Sequence, residues 1–150
     1  MKAFKERLLD HCKATIRRKI ELIAYAMDEI KGSMENETKS SLGDKHETSR
    51  ARMQSELEKL SWQMDELKGQ NEILQKVDLA RSTDKITNEN LVVTNKGLFF
   101  LVIPLGKVEL EEKTVYVISP VSPLGKKLIG LKNGDEVLMN EVSYRIDQIL

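Results

Sequence analysis

The stretch that decides the fold of the N-terminal half runs Ser33-Met-Glu-Asn-Glu-Thr-Lys-Ser-Ser-Leu-Gly-Asp-Lys-His-Glu47. It is polar and separates two long segments whose apolar residues recur at helical spacing. Four carboxylates stand against two lysines within it. We therefore predict that residues 33–47 form the acidic tip of a helical hairpin.

The segments on either side of the tip each carry one apolar stripe. The first has steps of three and four residues, typical of one side of a helix, and the second has heptad spacing. The members are Leu9, Cys12, Ile16, Ile20, Ile23, Met27, Ile30 and Met34, then Met53, Leu57, Leu60, Met64, Leu67 and Leu74. A short connection forces neighbouring helices to run in opposite directions, so we predict an antiparallel coiled-coil hairpin over residues 1–78.

Residues 79–150 have a different pattern, in which short runs of β-branched and aromatic residues are separated by turn signals. The runs begin at Leu91, Leu98, Val108, Thr114, Glu136 and Val142. Ser122 before Pro123 predicts the start of a short helix that runs through Leu128 and is ended by Gly130. The aromatic residues Phe99, Phe100, Tyr116 and Tyr144 are predicted to belong to the sheet core. The fold class is therefore α+β, with a largely antiparallel sheet and one short helix after the hairpin.

The charge balance excludes some classes of function. Residues 1–78 hold 15 Lys and Arg against 15 Asp and Glu, and residues 79–150 hold 9 against 9. Neither half has the cation surplus of a bulk nucleic-acid binder. The single cysteine, Cys12, lies on the apolar stripe and is interpreted as a buried small hydrophobe. No segment is typical of a signal peptide or a membrane span, so we expect a cytoplasmic location, and an intramolecular hairpin predicts a monomer.

Residues 118–137 read Ile-Ser-Pro-Val-Ser-Pro-Leu-Gly-Lys-Lys-Leu-Ile-Gly-Leu-Lys-Asn-Gly-Asp-Glu-Val. Their Ser-Pro, Pro-hydrophobic-Gly, Leu-hydrophobic-Gly and Gly-Asp-x-Val spacings resemble the C-terminal domain of the Gre transcript-cleavage factors, which act on bacterial RNA polymerase. The resemblance implies an FKBP-like domain that docks beside the secondary channel of the polymerase. It assigns polymerase binding to Ser119, Pro120, Ser122, Pro123, Gly125, Gly134 and Asp135.

The tip sequence Gly43-Asp-Lys-His-Glu47 is similar to the tip pattern of the same family. That resemblance implies that Asp44 and Glu47 are carboxylates that help the polymerase hold Mg²⁺ at its active centre, only in the complex. The chain would then be a stimulator of RNA polymerase rather than a self-contained enzyme. The following Thr48-Ser49-Arg50 departs from the family's Asn and later aromatic residue, which leaves open a regulator that enters the channel without stimulating RNA cleavage.

Other interpretations of the same residues stay open. Asp44 followed by Glu47 is also a capping box for the second helix, a role compatible with metal binding. His46 is interpreted as a solvated tip residue. Trp62 either packs against the second domain or lies half-exposed, and the alternative is a contact with a partner. The whole chain could instead be a coiled-coil assembly protein without polymerase function, or, as an FKBP-like module, a prolyl isomerase.

Overall fold

The computed structural model describes the backbone of residues 1–40 and 43–150 and the side chains of residues 1–36 and 47–150. The order of elements is a helical hairpin, four strands, a short helix and two strands. The elements are α1 (Lys2–Ser40), α2 (Gly43–Gln75), β1 (Leu91–Thr94), β2 (Gly97–Leu101), β3 (Gly106–Leu110), β4 (Lys113–Ile118), α3 (Pro123–Leu128), β5 (Glu136–Met139) and β6 (Val142–Ile149). The predicted α+β class is confirmed.

The two long helices form a hairpin whose middle part, Ala14–Glu72, is one compact unit. Within this unit the residues of the predicted stripes are buried or half-buried, whereas the remaining faces are largely exposed. Both helices extend into the segment that was predicted as the tip, because Glu35–Ser40 contains no proline or glycine that would end α1. Trp62 is 80% exposed, so it does not pack as a core residue.

The other compact unit comprises Met1–Lys13 and Ile73–Leu150 and contains all six strands. Its sheet has the order β3-β4-β2-β1-β6-β5. Four of the five strand pairs are antiparallel, as predicted, but β2 and β4 run parallel, with Phe99 opposite Tyr116. After β2 the chain crosses to β3 at the edge of the sheet instead of forming a hairpin with it. β4 then lies between β3 and β2, antiparallel to β3 and parallel to β2.

The sheet has a core on each face. On one face, Val92, Phe99, Leu101 and Ile146 pack with Leu128 of α3. By strand alternation Phe100, Val115 and Val117 point to the opposite face, and all three are fully buried. Also buried in this unit are apolar residues at the start of α1 and the end of α2, namely Phe4, Leu8, Leu9, Cys12 and Leu74. The predicted burial of Cys12 is confirmed.

Polar contacts attach the first turns of α1 to the sheet. The Arg7 guanidinium donates two hydrogen bonds of 2.9 Å to the Glu111 carboxylate at the β3–β4 turn. The Lys5 ammonium donates to the carbonyl oxygen of Leu150 at 3.1 Å, and that of Lys113 lies 5.2 Å from the centre of the Phe4 ring. The start of α1 and the sheet therefore form one folded unit, whereas the sequence placed a domain boundary at residue 78.

None of the described helices combines the length and the apolar character that crossing a membrane requires.

Candidate functional site

The segment from Ser119 to Gly125 is a tightly hydrogen-bonded turn that starts α3. The Ser122 hydroxyl accepts a hydrogen bond from the Gly125 N–H at 3.1 Å and donates one to the Ser119 carbonyl at 2.6 Å. Ser122 is thus the predicted N-cap, and Pro123 is the first residue of the helix. A Cβ at Gly125 would overlap the carbonyl oxygen of Ser119, so only glycine fits there.

A second turn holds Gly134 and Asp135. Gly134 has a φ of +91°, a conformation that glycine adopts readily, and its N–H donates to the Ile146 carbonyl at 2.7 Å. The Asp135 carboxylate accepts from the Lys132 N–H at 2.8 Å. This Gly-Asp pair therefore forms a turn. Four of the residues predicted to bind polymerase therefore have a structural role: Ser122, Gly125, Gly134 and Asp135.

Ser119 and Pro120 lie instead on the wall of an open groove of about 390 Å³. Val121, which follows them in the chain, is 71% exposed, and Ile73, another lining residue, is 46% exposed. The groove is lined by Ile73, Lys76, Asn88, Glu89, Leu101, Val102, Ser119, Pro120 and Val121. Its surface is mostly apolar, with a cation and a carboxylate among its lining residues. Such exposed apolar surface is typical of a place where another molecule binds.

Glu89 is held in place on this groove by its backbone and its carboxylate. Its φ is +75°, its N–H donates to the Leu101 carbonyl at 2.8 Å, and its carboxylate accepts from the Asp78 N–H at 3.3 Å. Arg81 lies 3.9 Å from the same carboxylate. Nearby, Lys5 is only 3% exposed, and desolvation lowers the pKa of its ammonium despite the opposing charge of Glu89. The carboxylate thus stabilises a buried lysine and is not an isolated ligand.

At the hairpin tip the structure describes one of the two predicted metal-assisting carboxylates. Glu47 is exposed in the second turn of α2. Asp44 is the second residue of that helix, which begins at Gly43, and its side chain, like that of His46, lies outside the described residues. The Arg50 guanidinium donates to the Met34 carbonyl at 3.4 Å. No cluster of three or more His, Cys, Asp or Glu residues suited to a metal ion occurs among the residues that the structure describes.

Sequence reasoning missed two apolar residues of the groove, Ile73 and Val121. Ile73 precedes the heptad position Leu74 by one residue. Heptad spacing predicts the burial of Leu74 but does not predict the surface role of its exposed neighbour. Val121 stands in the stretch Ser119-Pro-Val-Ser-Pro123, whose Ser and Pro residues favour a turn before α3. The sequence signal for the exposure of Val121 is its position between Pro120 and Pro123. An apolar side chain within a turn is not directed into the core by strand or helix periodicity. The prediction that Tyr116 is a core residue is wrong, since this ring is 39% exposed.

No protein-family model and no curated protein matches the sequence. Among solved structures, the chain is similar to one titled "Structure of the transcription factor Gfh1". The alignment covers 92% of each chain at 18% identity, with a TM-score of 0.36. A likeness this distant carries no conclusion about the activity or the partners of the present chain.

Proposed function

We propose that the chain regulates transcription by binding bacterial RNA polymerase through the groove at Ser119, Pro120 and Val121. The observation that carries the proposal is that residues 118–137 have two different roles, one structural and one at the surface. Ser122, Gly125, Gly134 and Asp135 fix the backbone, and the Ser-Pro step is left on an apolar surface. The same residues carry the resemblance to the Gre factors, which dock with their C-terminal domain.

The groove has the physical properties of a protein-binding surface. Val121 and Ile73 are apolar and exposed, so covering them with a partner removes apolar area from water. Lys76 among the lining residues is able to orient a partner by charge. A partner that places one apolar side chain between Val121 and Ile73 would fit this arrangement. Under this proposal Ser119 and Pro120 contact polymerase directly, whereas Ser122, Pro123, Gly125, Gly134 and Asp135 shape the surface.

Binding through the groove is tested with the full chain and RNA polymerase from its own host. Val121→Asp places a charge in the groove, and Leu138→Asp is the matched control, because Leu138 is also exposed, at 61%, but lies outside the groove. We expect Val121→Asp to weaken binding at least about tenfold, the size of effect seen when an interface anchor is lost. Leu138→Asp should bind like the wild type. Absence of binding by the wild-type chain would contradict the proposal.

The second part of the proposal concerns the acidic tip. Asp44 and Glu47 are three residues apart in the sequence, and in a helix this spacing allows two carboxylates to share one ion or its water shell. Mg²⁺ prefers such oxygen ligands and keeps several waters, and in the polymerase complex it would orient and activate the attacking water. Two carboxylates do not complete a site. The polymerase would have to supply the remaining ligands.

The tip is tested by RNA cleavage in backtracked transcription complexes. We expect the wild type to stimulate cleavage and Asp44→Ala/Glu47→Ala to lose the stimulation. Glu35→Ala, which removes an exposed carboxylate of α1 within the same tip segment, should retain it. A wild-type chain that binds polymerase but stimulates no cleavage would favour the non-cleaving regulator. The sequence Thr48-Ser49-Arg50, which departs from the family's Asn and later aromatic residue, is the specific feature that supports this second candidate.

Two functions of other classes make different predictions. A coiled-coil assembly protein would form a stable dimer, which light scattering would detect, and the exposed Trp62 is a surface that such a partner could cover. A prolyl isomerase would accelerate isomerisation in a peptide assay without polymerase. The polymerase-binding proposal predicts a monomer and no isomerase activity.

A further inference from the structure

Three aromatic rings form a row on the α3 face of the sheet. Phe99 of β2 stacks on Tyr116 of β4 with centroids 5.6 Å apart and an angle of 26° between the rings. Tyr144 of β6 meets Phe99 edge-on, with the same centroid separation and an angle of 82°. Phe99 is buried and belongs with Tyr144 to the core cluster that contains Leu128. The row thus continues this core outward to the surface, where Tyr116 is 39% exposed.

The surface end of the row is an open trough of about 400 Å³, lined by Lys96, Phe99, Tyr116 and Tyr144. Neither tyrosine hydroxyl is hydrogen-bonded to another residue in the part of the chain that the structure describes. A tyrosine hydroxyl usually finds a protein partner when it is buried, whereas an exposed hydroxyl is left to water or to a ligand. Here two hydroxyls and one exposed ring face are available to a ligand.

The charge of the trough is positive. Of the four lining residues, only Lys96 has a charged side chain, and no carboxylate lines the trough. Lys107 is the cross-strand neighbour of Tyr116 on β3 and therefore shares its face. Its ammonium lies 3.5 Å from the Glu109 carboxylate, and both side chains are 61% exposed. An exposed pair of this kind contributes little free energy, so Lys107 can exchange it for another anion.

From this arrangement we infer that the trough binds single-stranded nucleic acid, with an unpaired base stacked on Tyr116 and the phosphate backbone beside Lys96 and Lys107. Aromatic faces flanked by cations are the common feature of sites that bind single strands, because every base has a face that stacks and every nucleotide carries a phosphate. Duplexes are excluded, since their bases are already stacked on each other. The site would not discriminate sequence.

The expected affinity is low. The chain has no net charge, and only one or two cations border the trough, so the phosphate contribution is small and decreases with salt. This agrees with the balanced charge of both halves of the sequence, which excludes bulk binding to nucleic acid. A local stacking site is a different case, because its free energy comes mainly from the aromatic ring.

The inference is tested by fluorescence anisotropy of a labelled single-stranded oligouridylate with the full chain at low salt, with no polymerase present. Tyr116→Leu removes the ring from a partly exposed position and keeps an apolar side chain. We expect it to weaken binding about tenfold, the usual effect of losing one stacked base. Tyr116→Phe should bind nearly as well as the wild type. Lys96→Gln should lower the slope of log affinity against log salt by about 0.7.

Trp62→Leu is the matched control, because Trp62 is an aromatic residue that is 80% exposed and lies in the other compact unit. It should leave the affinity unchanged, and circular dichroism should give the same spectrum for all variants. The inference is overturned if the oligouridylate does not bind, or if Trp62→Leu weakens binding as much as Tyr116→Leu. In that first case, binding of a neutral proline-rich peptide that depends on Tyr116 would identify the trough as a peptide site.

Discussion

Gly125 shows how a single residue constrains the groove. Its missing side chain lets the first turn of α3 approach the Ser119-Pro120 backbone, where an added Cβ would lie 2.8 Å from the Pro120 carbonyl oxygen and closer still to that of Ser119. These contacts involve backbone atoms, which cannot rotate away as a flexible side chain would. The same residue therefore controls both local stability and the position of the groove wall.

We predict that Gly125→Ala destabilises the sheet unit by about 2 kcal/mol or more, because overpacking against fixed backbone forces the turn to shift. The free energy of unfolding from urea titration measures the effect. Gly32→Ala is the opposite control. An added Cβ there meets no atom within 4 Å, and alanine favours the interior of α1 by about 1 kcal/mol. A Gly125→Ala chain as stable as the wild type would show that the turn relaxes freely.

The Arg7–Glu111 pair is the second feature at this scale. The hydrogen bonds from Arg7 lower the pKa of the Glu111 carboxyl, and both groups are exposed. A lowered folded-state pKa means that the contribution to stability is present above the ordinary carboxyl pKa and disappears as the pH falls through the lowered value.

We predict that Glu111→Gln lowers the melting temperature at neutral pH and that the curves of wild type and variant converge as the pH decreases below the folded-state pKa of Glu111. Thermal unfolding monitored by circular dichroism across this pH range provides the measurement. Glu112→Gln at the neighbouring turn position serves as the control. A difference between wild type and Glu111→Gln that stays constant down to the most acidic pH would contradict an ionic origin.

Among the elements, two hairpin turns have an unusual sequence for their geometry. Asn140 and Glu141, between β5 and β6, have φ values of 49° and 65°, and Glu111 and Glu112, between β3 and β4, have values of 51° and 63°. Two consecutive residues with positive φ are the mark of a type I′ turn, which favours Asn-Gly. Glutamate in this conformation costs about 1 kcal/mol because its Cβ crowds the carbonyl oxygen.

We predict that Glu141→Gly stabilises the chain by about 0.5–1 kcal/mol, because it converts the β5–β6 turn to Asn-Gly and removes this crowding. Urea unfolding measures the gain. Glu136→Gly is the contrasting variant, since Glu136 lies within β5, where glycine weakens a strand. A loss of stability in Glu141→Gly would mean that the turn does not have the described conformation.

At the scale of the whole molecule, the reactivity of the Cys12 thiol measures how often the folded chain opens. It is fully buried near the start of α1, and burial raises the pKa of its thiol to about 12. Reaction requires the thiolate, so the folded protein presents almost no reactive form at neutral pH. Since Cys12 is the only cysteine of the chain, its modification follows this one site.

We predict that a thiol reagent at pH 8 labels the native chain at least about a hundredfold more slowly than the urea-unfolded chain, whose thiol has an ordinary pKa near 8.5. The labelling rate should increase with urea as the unit opens. The absorbance of the leaving group that a chromogenic thiol reagent releases provides the measurement. Labelling of the native chain at the rate of the unfolded chain would show that the start of α1 separates from the sheet easily.

The sequence by itself determined the elements of this protein. Heptad spacing specifies the two long helices, because only one face of each is apolar. The Ser122-Pro123 start of α3 and the strands Leu91–Thr94, Glu136–Met139 and Val142–Ile149 were also predicted, since caps, turns and alternation are local properties. The ends of the helices in the tip segment were not, because the polar residues 35–40 are typical of both a loop and an exposed helix.

Only the tertiary structure decided which residues meet. The parallel pairing of β2 with β4 brings Tyr116 beside Phe99 and leaves it at the surface, an outcome that alternation along one strand does not encode. The groove that Val121 and Ile73 both line likewise depends on elements distant in the chain. Local hydrogen bonding and hydrophobic periodicity act within a few residues, whereas the groove and the aromatic trough arise from strand order and from the surface that packing leaves uncovered.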